Sequence, residues 1–116
     1  NKNSGINPFD HIKNMQNLGA GEFLINSIDY DGKMEGFDMK LFKSIKKITK
    51  IPTIAAGGAS NLDDFIKIAQ EKHISAVAAG SIYHYTKITP NMVKGALNKI
   101  GIPVRLCSGT DYSFNY

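Results

Sequence analysis

A single cysteine, Cys107, stands in these 116 residues, which excludes an internal disulfide and suits a reducing cytoplasm. No apolar run approaches the roughly 20 residues needed to span a bilayer. The opening Asn1-Lys-Asn-Ser-Gly5 lacks the apolar centre of a secretion signal. Basic motifs interleaved with aromatics are missing too, so neither nucleic acid nor membrane is an expected partner. The net charge of +4 instead fits lysines spread over solvated helix faces (Lys40, Lys43, Lys46, Lys47, Lys50). His11, His73 and His84 fall at no metal-ligand spacing, and no cysteine or carboxylate cluster joins them. Neither a metal nor a cofactor is therefore expected.

What is present points to a folded globular chain. Apolar residues make up 42% and charged residues 21%, the balance of an ordered domain. Two runs carry most information: Ile51-Pro-Thr-Ile-Ala-Ala-Gly-Gly58 and Ile74-Ser-Ala-Val-Ala-Ala-Gly-Ser81. Each reads as a parallel strand buried on both faces that ends in glycine and leads into a helix-starting segment. Glycines at a strand's C-terminal end let backbone N–H groups approach an anion closely, and a following helix start favours the same charge. Two such units in tandem are the phosphate-binding pattern of a barrel's last strands. The bland alternative is that Gly57, Gly58 and Gly80 are ordinary turn glycines.

The rest of the chain alternates helix and strand. Asn7-Pro8 caps and opens a helix with Phe9, Ile12, Met15 and Leu18 on one side, stopped by Gly19. Strands are expected at Glu22–Ile28, Pro52–Ala56 and Ala76–Ala79. Asp38 caps a helix carrying Leu41, Phe42, Ile45 and Ile48. Asn61 caps another, with Leu62, Phe65, Ile66 and Ala69 inward and Asp63-Asp64 as a helix-start charge pair. Thr89-Pro90 opens the last, with Met92, Val93, Ala96 and Leu97, closed by Gly101. The order α-β-α-β-α-β-α implies a parallel α/β sheet. Three strands cannot close a barrel, which needs eight. The expectation is therefore the C-terminal part of a (βα)8 barrel, incomplete on its own.

Gly19-Ala-Gly-Glu-Phe-Leu-Ile-Asn-Ser-Ile-Asp-Tyr-Asp-Gly32, Gly36-Phe-Asp38, Ala56-Gly-Gly-Ala59, Ala78-Ala-Gly-Ser81, Tyr83-His-Tyr85 and Gly101-Ile-Pro-Val-Arg105 resemble the cyclase subunit of imidazole glycerol phosphate synthase. The likeness runs to Arg105, which assigns residues 1–105 to the barrel and leaves 106–116 as an unassigned tail. The resemblance implies an enzyme of histidine biosynthesis that takes ammonia from a glutaminase partner. It would form imidazole glycerol phosphate and an aminoimidazole carboxamide ribotide from a substrate with two phosphates. The family's two acid–base aspartates end strands one and five and lie outside these residues, so no catalytic residue is expected here and the chain alone should be inactive.

By the same resemblance, Asp31, Gly32, Gly57, Gly58, Gly80 and Ser81 surround one substrate phosphate. Asp31 would orient a donor or sugar hydroxyls, since an ionised carboxylate cannot bind phosphate. A side chain at position 58 should then weaken substrate binding and spare glutaminase docking. Alternation along the first strand sets Glu22, Leu24, Asn26 and Ile28 on one face. In the family that face points into the barrel, with Glu22 as a gate on the ammonia path and Asn26 near the reacting end. Histidine-pathway enzymes usually carry threonine or serine there. The runs Ile25-Asn-Ser-Ile-Asp29 and Ser75–Ser81 are closer to paralogues that amidate a sugar in surface-polysaccharide synthesis, whereas Ile88-Thr-Pro90 and the ending 101–105 resemble the histidine enzyme. A non-catalytic half-barrel that binds phosphate is the third alternative. Completion by the missing N-terminal half or by self-association is expected in every case.

Overall fold

The computed structural model describes residues 4–107 and 109. Helix α1 (Pro8–Asn17) is followed by β1 (Phe23–Asn26), α2 (Met39–Ile45), β2 (Thr53–Ala56), α3 (Leu62–Ala69), β3 (Ile74–Ala78), α4 (Ser81–Tyr85) and α5 (Pro90–Lys99). The strands form one parallel sheet in the order β1-β2-β3, with Asn26 beside Ala56 and Ala56 beside Ala78. All three C-terminal strand ends thus lie along one edge, as in part of a (βα)8 barrel. Most of the expected tail, residues 108 and 110–116, lies outside the described residues.

The helices begin where short polar side chains can satisfy their orphan N–H groups. Asn7 accepts from the N–H of Phe9 at 2.9 Å, Asp38 from that of Leu41 at 3.0 Å, and Thr89 from that of Met92 at 3.2 Å. Around α3 the arrangement is reciprocal. Asn61 accepts from the N–H of Asp64, whose Oδ2 accepts from Ser60 N–H (2.8 Å), Ser60 Oγ (2.6 Å) and Asn61 N–H (3.2 Å). Asp64→Ala should therefore cost about 1–2 kcal/mol, read as a lowered urea midpoint with an unchanged slope. An unchanged midpoint would mean that these bonds only replace water. Helices α1 and α5 stop in matching fashion: Ala20 and Ile102 donate back to Met15 and Leu97, across Gly19 and Gly101 at positive φ.

The core lies between the sheet and its helices. Phe42 and Ile45 of α2, Leu62, Phe65 and Ile68 of α3, and Val93, Ala96 and Leu97 of α5 are buried around Ala55 and Ile74. Ile68, fully buried, had no place in the expected inward set, and Ile66 is only partly covered. Two further expectations need correction. Leu18 does not join the inner face of α1; it caps the helix and is 80% exposed. The strands are not buried on both faces either. Phe23 and Ile25 pack on the helices, whereas Leu24 on the other face is 66% exposed, and Ser75 and Ala76 of β3 are exposed. Among the described residues, the helices bury mainly one side of the sheet.

Of the three histidines, His11 and His84 are exposed and His73 is partly buried. Among the described residues no group of His, Cys, Asp or Glu is arranged to hold a metal ion, and no helix is long and apolar enough to cross a membrane. His73 donates from Nε2 to the carbonyl of Phe42 at 2.9 Å, which ties the turn before β3 to α2.

Candidate functional site

Where the strands end, the chain folds a cleft. Asp31 and Gly32 from the β1–α2 loop, Gly57 and Gly58 after β2, and Gly80 and Ser81 after β3 all line one small opening of about 240 Å³, its mouth included. Six residues singled out from separate stretches thus meet in one place. Met34, Ala59, Ala79 and Ile82 complete the lining. No sequence pattern marked Met34, whose backbone sits in the left-handed region at φ +53°.

The loop after β1 is built to reach this edge. Ser27 turns the chain sharply, its carbonyl accepting from Tyr30 N–H (3.1 Å) and Asp31 N–H (2.8 Å). Ser27 Oγ meanwhile donates to Asp38 Oδ2 at 3.2 Å, linking the turn to the start of α2. Farther along, Gly36 N–H donates to the carbonyl of Gly58 at 2.8 Å, so the loop rests directly on the end of β2.

That contact changes what the paired glycines mean. A Cβ on Gly58 would collide with the carbonyl oxygen of Gly36, and φ there is +103°. A Cβ on Gly57, at φ +94°, would fall 2.6 Å from Asn26 Oδ1 and 3.0 Å from the carbonyl of Ser27. Both glycines are required by the protein's own backbone packing before any ligand is considered. A side chain at 58 therefore disturbs the backbone that builds the cleft, besides any effect on a ligand held there. Gly80 differs: its φ is −132° and nothing lies within 4 Å of an added Cβ.

Helix α4 was not anticipated as an element. It opens at Gly80 with no side-chain cap for the N–H groups of its first turn, and its first residues, Ser81 and Ile82, line the cleft. Ser81 adds a hydroxyl. On the far side of α4, Tyr83 stacks on Phe65 with ring centroids 6.4 Å apart. Burial there pushes the Tyr83 phenol above its ordinary titration range, which keeps it a neutral anchor for the short helix.

Asn26 and Glu22 occupy the open face. Asn26 ends β1 and donates from Nδ2 to Asp31 Oδ2 at 3.3 Å. Glu22 precedes β1 at the opposite pole and is exposed. The structure does not bring Glu22 to the cleft; it sets the two residues at opposite ends of one strand face.

A parallel sheet with outer helices, and a glycine-lined cleft along its C-terminal edge, is the architecture of part of a (βα)8 barrel. The family described as "Histidine biosynthesis protein" matches residues 1–89, and the chain belongs to that family. Its relatives include proteins named "Imidazole glycerol phosphate synthase subunit HisF". That of Bifidobacterium adolescentis is 46% identical over 104 residues, covering 90% of this chain and 40% of the relative. The one from Staphylococcus saprophyticus is 40% identical over 97 residues, 84% and 38% of the two chains. The one from Natranaerobius thermophilus is 36% identical over 105 residues, 90% and 42%. The chain spans about two fifths of the length of these relatives.

Proposed function

We propose that this chain is the phosphate-binding C-terminal part of the ammonia-using cyclase subunit of imidazole glycerol phosphate synthase, acting in the cytoplasm beside a glutaminase subunit. The observation that carries this reading is the convergence of Asp31, Gly32, Gly57, Gly58, Gly80 and Ser81 in one cleft. Uncapped N–H groups at the start of α4 and the Ser81 hydroxyl are suited donors for phosphate oxygens. A phosphate held there anchors one end of a long substrate, leaving its reacting part over the open face that carries Asn26. Ammonia released at the opposite pole would enter past Glu22. Acid–base aspartates are not supplied by this stretch, so turnover requires the upstream barrel strands.

Gly80→Ala is the direct test. The substitution adds bulk at the cleft's rim without touching another protein atom, so stability should stay within about 1 kcal/mol. Inorganic phosphate binding, followed by titration calorimetry, should weaken roughly tenfold, the loss expected for one charge-assisted hydrogen bond. Unaltered binding would remove the cleft from the reading.

Asn26 favours a second reading, a paralogue that passes ammonia to a sugar-linked acyl group in surface-polysaccharide synthesis. With the upstream strands and a glutaminase supplied, formation of imidazole glycerol phosphate separates the two. A protein that binds phosphate yet turns over neither substrate would be the non-catalytic half-barrel.

A further inference from the structure

The loop between β1 and α2 takes positive φ at three alternate positions: Gly32 at +77°, Met34 at +53° and Gly36 at +106°. Two of the three are glycine, which meets no steric penalty there, whereas a side chain does. Among the described residues Met34 is the one non-glycine at positive φ. Two backbone bonds flank it and keep it from relaxing. Lys33 N–H donates to the carbonyl of Tyr30 at 3.1 Å, and Gly36 N–H donates to that of Gly58 at 2.8 Å. A side chain retained at a strained position points to a use for that side chain.

The cleft supplies the use. Of the residues around it, only Asp31, Met34 and Ile82 carry side chains larger than that of serine. Ile82 is 1% exposed and belongs to the core. The Asp31 carboxylate accepts from Asn26 Nδ2 at 3.3 Å. Met34 is left as the one long, unbranched apolar side chain, half-buried, at an opening bounded largely by glycine, alanine and serine. We infer that Met34 is a specificity-determining residue: it narrows the opening so that a phosphate ester enters only when the carbon next to the ester oxygen is unbranched. A primary phosphate passes, and a phosphate on a branched carbon is turned away. This rests on the proposed phosphate seat and deepens it.

Calorimetric titration of the purified chain with inorganic phosphate, ethyl phosphate and isopropyl phosphate tests it. The two esters differ by one methyl branch, and neither carries a hydroxyl. Wild type should bind ethyl phosphate roughly tenfold more tightly, within the range that one methylene is worth in a closely fitted pocket. Met34→Gly and Met34→Asn, both suited to positive φ, should bind the two esters alike and inorganic phosphate as before. Their urea midpoints should stay level or rise, because the backbone strain is relieved. Met34→Leu conserves the bulk and should conserve the preference. Selectivity lost while stability is kept is a result that a merely structural role would not produce. Equal affinity for both esters in wild type, or a preference that survives Met34→Gly and Met34→Asn, overturns the inference and leaves the seat standing. A lowered midpoint with all binding lost in both variants also overturns it, since Met34 would then be a prop for the loop. Binding of none of the three ligands by wild type overturns the seat itself, and the inference with it.

Discussion

Gly58→Val should unfold the cleft edge of this protein, costing at least roughly 3 kcal/mol. Two penalties coincide at that position. The backbone is at φ +103°, which β-branched residues rarely adopt, and the first side-chain carbon would collide with the carbonyl oxygen of Gly36. Neither partner can yield cheaply, because Gly36 N–H and the Gly58 carbonyl are hydrogen-bonded at 2.8 Å and hold the loop onto β2. Thermal and urea unfolding of Gly58→Val beside Gly80→Ala makes the comparison. The first should lose most of its cooperative transition; the second should keep it. Equal stability of the two variants would show that the loop can lift away, and that the 36–58 contact does not hold the site.

The second large effect concerns assembly. The isolated 12.7 kDa chain should sediment as an oligomer. Leu24, on the sheet face opposite Phe23 and Ile25, and Ile28, in the turn after β1, are each 66% exposed. The outer edges of β1 and β3 pair with no other described strand. Exposed apolar surface beyond a few hundred Å² and free strand edges both drive association. Coexpression with the N-terminal part of a relative's barrel should convert the oligomers into a discrete complex. A stable monomer across micromolar concentrations, with the open face still accessible, would refute the expectation. Leu24→Lys should shift the distribution toward smaller species, since it buries a charge in any interface built on that face.

The sequence by itself determined the parts governed by neighbours along the chain. Asn7, Asp38, Asn61 and Thr89 cap helices through bonds to residues two or three positions away, and Gly19 and Gly101 end helices through equally local geometry. Helical and strand periodicity likewise marked most of the core, and the glycine-ended runs marked the cleft. Tertiary structure alone decided the rest. Leu18 continues the apolar spacing of α1, yet no described element packs over that position. Ser81–Tyr85 is too short to have a period of its own, and its helix stands on packing such as that of Tyr83 against Phe65. Gly58 looked like a ligand-approach glycine because its true neighbour, Gly36, lies 22 residues earlier and meets it only once the loop has crossed to β2. The Asn26 amide depends on the same crossing, because parallel pairing of β1 with β2 brings Gly57 beneath it. Periodicity along a chain reports burial and local hydrogen bonding, whereas contacts across strands follow from register, which is set only when the sheet assembles.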